Sequence, residues 1–181
     1  WRFYTNKDRL PRAFVVHQTR TVADPVQQRQ LMSLGGEIDF RQEALLFEDP
    51  PIAPQPLPAN AQDEVRITSL EEDDVTIEAT LASAGLLVMA DTYDEGWQVE
   101  VDGREERLLR TNYVIRGIPL SRGKHVVELH YVPQGYPLGL AATLVALLLA
   151  AGIILLETLR RRKRAPTTDS TSPEEPAETP A

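Results

Sequence analysis

The residues best suited to chemistry in this sequence are acidic and aromatic side chains within residues 91–97. Asp91 ends an apolar run just before a turn, where aspartate commonly accepts backbone N–H bonds, although it could also contact a sugar hydroxyl. Tyr93 and Trp97 are the side chains best able to stack on a sugar face, because aromatic rings offer a large rigid area. A structural role is the favoured interpretation, since most tryptophans in strands are core residues. Asp91, Tyr93 and Trp97 are therefore the candidate ligand-binding set.

The other polar residues do not form a catalytic pattern. General acid–base catalysis needs two carboxyl groups with separated pKa values in one pocket, whereas the acidic run at residues 71–74 is typical of a solvated loop. A metal site needs three or four convergent ligands, and His17, His125 and His130 lie on different segments. No phosphate-binding glycine loop or nucleophile motif is present. The sequence predicts no catalytic residue, no metal and no cofactor.

A membrane helix at residues 138–157 is the most prominent element in the sequence. It opens with nineteen residues that carry no charge and no proline. A helix of that length spans about 28 Å, close to the roughly 30 Å of a bilayer's hydrocarbon core. Five basic residues follow it, and such clusters stay on the cytoplasmic side: Arg160, Arg161, Arg162, Lys163 and Arg164. We predict a bacterial inner or plasma membrane protein with residues 1–137 outside the cytoplasm and the C-terminus inside.

Small residues recur along this predicted span. They could let another helix approach closely, and they are Gly139, Ala142, Ala146 and Ala150. The predicted partners are membrane lipid and either upstream membrane helices of the same protein or a membrane partner. Residues 158–181 combine the basic stop-transfer cluster with a stretch that lacks any aliphatic side chain larger than alanine after Arg164, which predicts a disordered cytoplasmic tail.

Composition supports a location in the bacterial envelope. The chain has 181 residues and no cysteine, so it has neither a disulfide framework nor a cysteine-based metal site. Residues 1–137 contain 14 basic and 22 acidic side chains, and this acidic balance argues against a nucleic-acid partner. A chain that begins at Trp1 without a visible signal peptide is expected to be the C-terminal piece of a longer protein.

The first 137 residues are predicted to form a mainly β, antiparallel β-sandwich. Seven short alternating segments follow one another between residues 65 and 132, with turn residues every eight to twelve positions. The pair Asp102 and Gly103 predicts a two-residue hairpin turn, because both central positions need positive φ. A proline-rich spacer at residues 50–58 is predicted to run over the surface. A short helix is expected from Val26 to residue 34.

Several stretches, in order and at matching spacing, resemble the C-terminal extracytoplasmic region of the YfhO-like family of bacterial multi-pass membrane proteins. They cover nearly all of residues 3–140 and occur at residues 10–16, 39–48, 86–97, 99–103, 112–119 and 123–133. One departure is the pair Asp94 and Glu95, where the family tends to carry an aromatic residue and a proline.

The resemblance implies a parent protein similar to the glycosyltransferases that take sugar from a polyprenyl-phosphate carrier and act on cell-envelope polymers. In proteins of that architecture the catalytic carboxylate lies in an early extracytoplasmic loop, which this chain does not contain. The chain would then be an accessory or positioning domain, with envelope glycan or polyprenyl-phosphate sugar as a partner. The alternative is a single-pass membrane-anchored scaffold that binds glycan or protein without catalytic activity.

Overall fold

The computed structural model describes residues 1–2, 9–33, 38–133 and 135–164, and only the backbone of residues 161–164. The chain divides into two compact units, Trp1–Gln134 and Gly135–Ala181. We call the first the β-domain. The predicted end of the first helix at residue 34 and the disordered tail from residue 165 onward lie outside the described residues.

Eleven strands and one helix make up the described part of the β-domain. The helix, α1, is Pro25–Ser33. The strands are β1 Ala13–Val16, β2 Gln18–Thr21, β3 Glu43–Leu46, β4 Glu64–Leu70, β5 Asp74–Leu81, β6 Gly85–Thr92, β7 Trp97–Val101, β8 Arg104–Glu106, β9 Leu109–Thr111, β10 Ile115–Leu120 and β11 Gly123–Tyr131.

The strands form two sheets. One has six strands in the order β1-β6-β10-β9-β3-β2, and the other has five in the order β4-β5-β11-β7-β8. Among the described strands, all pairs are antiparallel except β2 with β3. The predicted mainly β, antiparallel sandwich is confirmed, with this one parallel pair added.

The main core lies between the two sheets. Alternate residues of β5 and β11 point inward, as a half-buried strand requires, so Ile77 and Leu129 are buried while Glu78 and Glu128 face outward. Strand β6 is buried on both faces, and its Leu87 packs into this core. Its neighbour Leu86 packs into a second cluster on the outer face of the six-stranded sheet. A third cluster, around Val22, Ile38 and Leu45, includes Leu31 of α1.

The predicted hairpin turn is present. Asp102 has φ of 55° and Gly103 has φ of 72°, and Val101 pairs with Arg104 across the turn. Positive φ at both central positions is the property of a type I′ turn, whose twist matches that of the flanking strands.

One of the seven predicted segments covers residues 105–110, and the prediction of a single strand there is wrong. The chain instead ends β8 at Glu106 and begins β9 at Leu109, and these two strands belong to different sheets. Leu109 is buried in the outer cluster of the six-stranded sheet. Residues 107–108 therefore carry the chain from one sheet to the other.

The start of α1 and the proline-rich spacer also agree with the sequence. The Asp24 Oδ1 atom accepts a hydrogen bond from the Val26 N–H at 2.9 Å, which is the N-cap arrangement. Residues 50–58 contain neither a helix nor a strand. The spacer is tied to the sandwich by the Gln55 N–H, which donates to the Ala84 carbonyl at 2.8 Å.

The second unit contains helix α2, Tyr136–Arg164, which is 29 residues long. Its part from Tyr136 to Arg160 is long and apolar enough to cross a membrane, and its large apolar side chains are exposed, among them Leu148 and Ile154. The predicted span at residues 138–157 lies within this part. The helix continues beyond the apolar segment through the basic cluster that ends at Arg164.

Candidate functional site

Three loops meet at one end of the β-domain. β6 leads into the turn at residues 93–96, the chain turns between β9 and β10 at residues 112–114, and β11 leads into residues 132–133. The Tyr93 N–H donates to the Val114 carbonyl at 2.7 Å, and the Val132 N–H donates to the Gly96 carbonyl at 2.8 Å. These backbone bonds hold the three loops together, and the side chains singled out in the sequence lie here.

The turn before Trp97 is fixed by Asp94 and Gly96. The Asp94 carboxylate accepts the Gly96 N–H at 2.8 Å, and its backbone carbonyl accepts the Trp97 N–H at 3.2 Å. A Cβ atom on Gly96 would lie 2.6 Å from the Tyr131 ring and 2.9 Å from the Val132 carbonyl oxygen. The residue that accepts the turn's N–H bonds is therefore Asp94, although the sequence had suggested Asp91.

Asp91 is paired with a distant arginine. The Arg12 Nε atom donates to both carboxylate oxygens of Asp91, at 3.0 and 3.1 Å, and Arg12 Nη2 lies 2.9 Å from Oδ1. This bidentate pair joins the residues just before β1 to the end of β6. Asp91 thus pairs with a side chain that is 79 residues away in sequence, which differs from the predicted role of accepting backbone N–H bonds in the turn.

Trp97 lies between two side chains from other strands. Its ring is 5.3 Å from the Tyr131 ring, centroid to centroid, with the planes at 47°. The guanidinium carbon of Arg116 is 3.8 Å from the Trp97 centroid, a cation–π geometry that joins the two sheets. Arg116 is 5% exposed, and its Nε donates to the Thr92 carbonyl at 2.9 Å. Burial lowers the pKa of Arg116, while the nearby Asp91 charge raises it.

A cleft of about 610 Å³, which we call the tip cleft, opens between the three loops. Its side chains combine phenol, carboxylate and guanidinium groups and come mainly from Tyr93, Asp94, Glu95, Arg110 and Tyr131. The negative charge of Asp94, which also hydrogen bonds with the phenol, raises the pKa of Tyr131. Tyr93 and Glu95 also border a neighbouring cleft of about 470 Å³ that Trp97 lines.

Arg110 is held at the cleft by two aromatic rings. Its guanidinium carbon lies 5.0 Å from the Phe47 centroid and 5.2 Å from the Tyr113 centroid. Its Nε donates to the Tyr113 carbonyl. Asn112 and Tyr113 have φ of 44° and 69°, a left-handed conformation that is costly for a bulky side chain. Asn112 offsets that cost by accepting the buried Leu45 N–H at 2.8 Å through its side chain.

A second polar cluster, around His17, is one that the sequence analysis missed. His17 Nε2 lies 2.6 Å from Asp63 Oδ2, and Nδ1 lies 3.2 Å from Ser83 Oγ, which is the set of side chains found in a serine-hydrolase triad. However, Nδ1 also lies 3.0 Å from the Gln55 carbonyl and 3.1 Å from the Ala84 carbonyl. Since carbonyls only accept, Nδ1 carries a proton and cannot serve as a base for Ser83. The cluster is a structural link.

No local pattern in the sequence could have revealed this cluster, because His17 and Asp63 are 46 positions apart. Within the described ranges, no group of three or more His, Cys, Asp or Glu side chains is arranged to hold a metal ion.

On α2, a Cβ atom on Gly139 would meet open space, and its carbonyl accepts the Thr143 hydroxyl at 2.9 Å. Helix packing by Gly139, Ala142, Ala146 and Ala150 stays a prediction, as does ligand contact by Asp91, Tyr93 and Trp97. The basic residues at 160–164 occupy the last part of α2, which ends at Arg164, and their stop-transfer role stays a prediction.

A β-sandwich domain followed by an exposed apolar helix defines a membrane-associated protein with a β-rich domain. Residues 35–143 match the family described as "Bacterial membrane protein YfhO". This chain belongs to the YfhO family, as the sequence resemblance predicted.

A relative from Bacillus subtilis (strain 168), named "Uncharacterized protein YfhO", is 23% identical over 128 residues. The matched region is 71% of this chain but 14% of the relative, so the chain corresponds to a small part of that protein's length. No solved structure matches the chain significantly.

Proposed function

We propose that this chain is the C-terminal part of a polytopic membrane protein that transfers sugar from a polyprenyl-phosphate carrier to a cell-envelope polymer. In this proposal the β-domain lies outside the cytoplasm and holds the acceptor glycan in the tip cleft. The observation that carries it is the composition of that cleft, where Tyr93, Asp94, Glu95 and Arg110 lie together.

The groups of the tip cleft suit a glycan. A sugar ring has an apolar face that packs on aromatic rings, and hydroxyls that both donate and accept hydrogen bonds. Tyr93 and Tyr131 supply rings, Asp94 and Glu95 supply acceptors, and Arg110 supplies donors. Trp97 and Asp91 do not line the tip cleft as described. Each contacts an arginine of the β-domain itself, and we assign them a supporting role.

A positioning role fits the β-domain better than a catalytic one. The Ser83, His17 and Asp63 cluster has its imidazole Nδ1 proton directed at carbonyls. Transfer chemistry would then belong to the rest of the protein, which the length of the relative allows, since the matched region is only 14% of it. The basic cluster after the apolar segment supports a cytoplasmic C-terminus.

The proposal is tested in the full-length protein in its own bacterium. We expect Tyr93→Ala and Glu95→Gln to reduce the sugar content of the envelope polymer by about tenfold, the effect of about 1.4 kcal/mol of lost acceptor binding. Glu128→Gln is the matched control, because Glu128 is an exposed carboxylate on the outer face of the five-stranded sheet. Protein levels in the membrane are measured in parallel.

Unchanged sugar content in both cleft variants would contradict acceptor binding by the cleft. Unchanged sugar content in a strain that lacks the protein would contradict the transferase role. If the full chain then still bound the purified polymer through Tyr93, the binding scaffold would be the correct alternative.

A further inference from the structure

An apolar groove of about 760 Å³ lies on the outer face of the six-stranded sheet, and we call it the outer groove. Its apolar surface comes mainly from Leu10, Phe14, Met32, Phe40 and Ile115. These side chains are only partly buried, and Met32 is 37% exposed. Phe14 and Ile115 pack against the outer core cluster, and Met32 belongs to α1. The groove is therefore where the outer core cluster reaches the surface.

The charge of the outer groove is opposite to that of its domain. Residues 1–137 contain 22 acidic and 14 basic side chains, yet the charged side chains among the described residues that line the groove are Arg9 and Arg12. Arg12 shares its guanidinium with Asp91, and Arg9 is exposed. Guanidinium groups bind phosphate in a bidentate manner. An apolar groove with cations at its edge is complementary to an anionic amphiphile.

The outer groove lies at the same end of the β-domain as the tip cleft. Ile115 begins β10, and Ala90, which also lines the groove, lies two residues before the end of β6. The chain leaves the β-domain at this end too, through Tyr131 and the residues that follow it. For a membrane protein, anionic lipids are amphiphiles that attract basic side chains near the bilayer surface.

We propose that the outer groove binds the hydrocarbon chain of an anionic membrane lipid, with the lipid phosphate at Arg9 and Arg12. The volume of about 760 Å³ is within the range of about 300–1,000 Å³ that small-molecule sites occupy. The groove and the tip cleft have no lining residue in common among the described residues. The lipid site and the glycan site can therefore be tested independently.

The test uses the full chain in phosphatidylcholine nanodiscs. The probe is phosphatidic acid with a photoactivatable diazirine in its acyl chain, and phosphatidylcholine with the same acyl group is the comparison. After illumination, mass spectrometry locates the cross-links. We expect adducts on peptides that contain Phe14 or Met32 with phosphatidic acid and few with phosphatidylcholine. Adducts on α2 form with both lipids and provide the internal standard.

Arg9→Glu is expected to reduce the groove adducts by about fivefold or more, as loss of one basic contact to an anionic lipid implies. Arg29→Glu is the matched control, since Arg29 is an exposed arginine of α1 that does not line the groove. Met32→Glu, at a partly exposed position, is expected to remove the adducts while the far-UV circular dichroism is kept.

Equal groove labelling by the two lipids, or equal effects of Arg9→Glu and Arg29→Glu, would overturn the proposal. So would adducts confined to α2. A chain without residues 1–8 provides one more discriminating arm. Groove labelling that appeared only in that chain would show that the protein's own N-terminal residues occupy the groove, and this result would also overturn the proposal.

Discussion

Gly96 is the residue on which the geometry of the three loops at the tip cleft depends most directly. Its N–H is held by the Asp94 carboxylate and its carbonyl by the Val132 N–H. The space for a side chain is filled by the Tyr131 ring and by the Val132 carbonyl oxygen. A ring can rotate away from a new methyl group, but a backbone oxygen in a hydrogen-bonded loop cannot do so cheaply.

We predict that Gly96→Ala lowers the free energy of unfolding by about 2 kcal/mol, the usual cost of overpacking. Urea unfolding of the full chain in detergent, followed by intrinsic fluorescence, measures it. Gly103→Asn is the control: a Cβ atom there meets nothing within 4 Å, and asparagine tolerates positive φ. Equal stability of the Gly96→Ala and wild-type chains would contradict this prediction, because it would show that the loop at Val132 moves to accommodate the methyl group at little cost.

Asp102 joins its hairpin turn to strand β11. One carboxylate oxygen accepts the Val126 N–H at 2.9 Å, and the other lies 2.8 Å from His125 Nδ1. The Val126 hydrogen bond, followed by the His125 hydrogen bond, lowers the pKa of Asp102 below its ordinary value of 3.8. The charged form is therefore favoured by folding.

A lowered folded-state pKa adds stability that is complete above pH 3.8 and is lost as the pH falls through the folded-state value. Asp102→Asn removes this ionisation and keeps the positive φ. We predict that the difference in unfolding free energy between wild type and Asp102→Asn is larger at pH 7 than near pH 3. Urea titrations at the two pH values measure it, and a difference that does not change with pH would exclude the charge of Asp102 as the cause.

Between elements, the His17 cluster joins the β1–β2 junction, the proline-rich spacer, the residue before β4 and the β5–β6 turn. His17 and Asp63 have side chains that are 13% and 10% exposed. Removing one partner of a pair so little exposed to water leaves the polar atoms of the other without compensation.

We predict that His17→Ala lowers the unfolding free energy by about 3 kcal/mol. His130→Ala serves as the control, because the His130 and Asp74 side chains form the same kind of pair but are 59% and 57% exposed. Its expected cost is below about 1 kcal/mol. Similar losses in the two variants, measured by urea unfolding, would contradict a structural role for the buried pair.

The contact of Arg116 with Trp97 links β10 of one sheet to β7 of the other. A double-mutant cycle with Trp97→Leu and Arg116→Met isolates this contact, since leucine and methionine are apolar side chains that still fill much of the space. We predict a coupling energy of about 1 kcal/mol. Additive effects in the unfolding measurements would mean that the stacked geometry contributes no net stability.

Local patterns predicted the elements whose structure is decided locally. The Asp102 and Gly103 turn followed from its positive-φ requirement, and most of the strands between residues 65 and 132 followed from their alternating pattern. The switch between sheets after Glu106 could not be predicted in this way, because both β8 and β9 read as strand and only the position of Leu109 in the outer core separates them. The predicted strand boundaries were wrong where tertiary packing, rather than local sequence, determines where a strand ends.

Of the three candidate ligand-binding residues, only Tyr93 lines the tip cleft as described, and ligand contact by all three stays a prediction. Residues 92–95 do line the tip cleft, since a connection between two strands must lie where the strands end. Arg12 lies just before β1, and Arg116 lies in β10 of the sheet opposite Trp97. Only the folded structure brings them to Asp91 and Trp97, so no spacing rule could supply these partners. For the same reason Arg110 was missed, although it lines the tip cleft and lies between two aromatic rings.

For the chain as a whole, the central proposal is that α2 crosses the membrane with the β-domain outside the cytoplasm. The chain contains no cysteine, so single cysteines report on sidedness without background. Glu128→Cys places one on the outer face of the five-stranded sheet, and Ser172→Cys places one in the C-terminal segment.

The decisive measurement is labelling of these two variants in intact cells with a membrane-impermeant maleimide. The account predicts that Cys at position 128 is labelled in intact cells and that Cys at position 172 is labelled only after permeabilisation. Labelling at position 172 but not at position 128 in intact cells would contradict it.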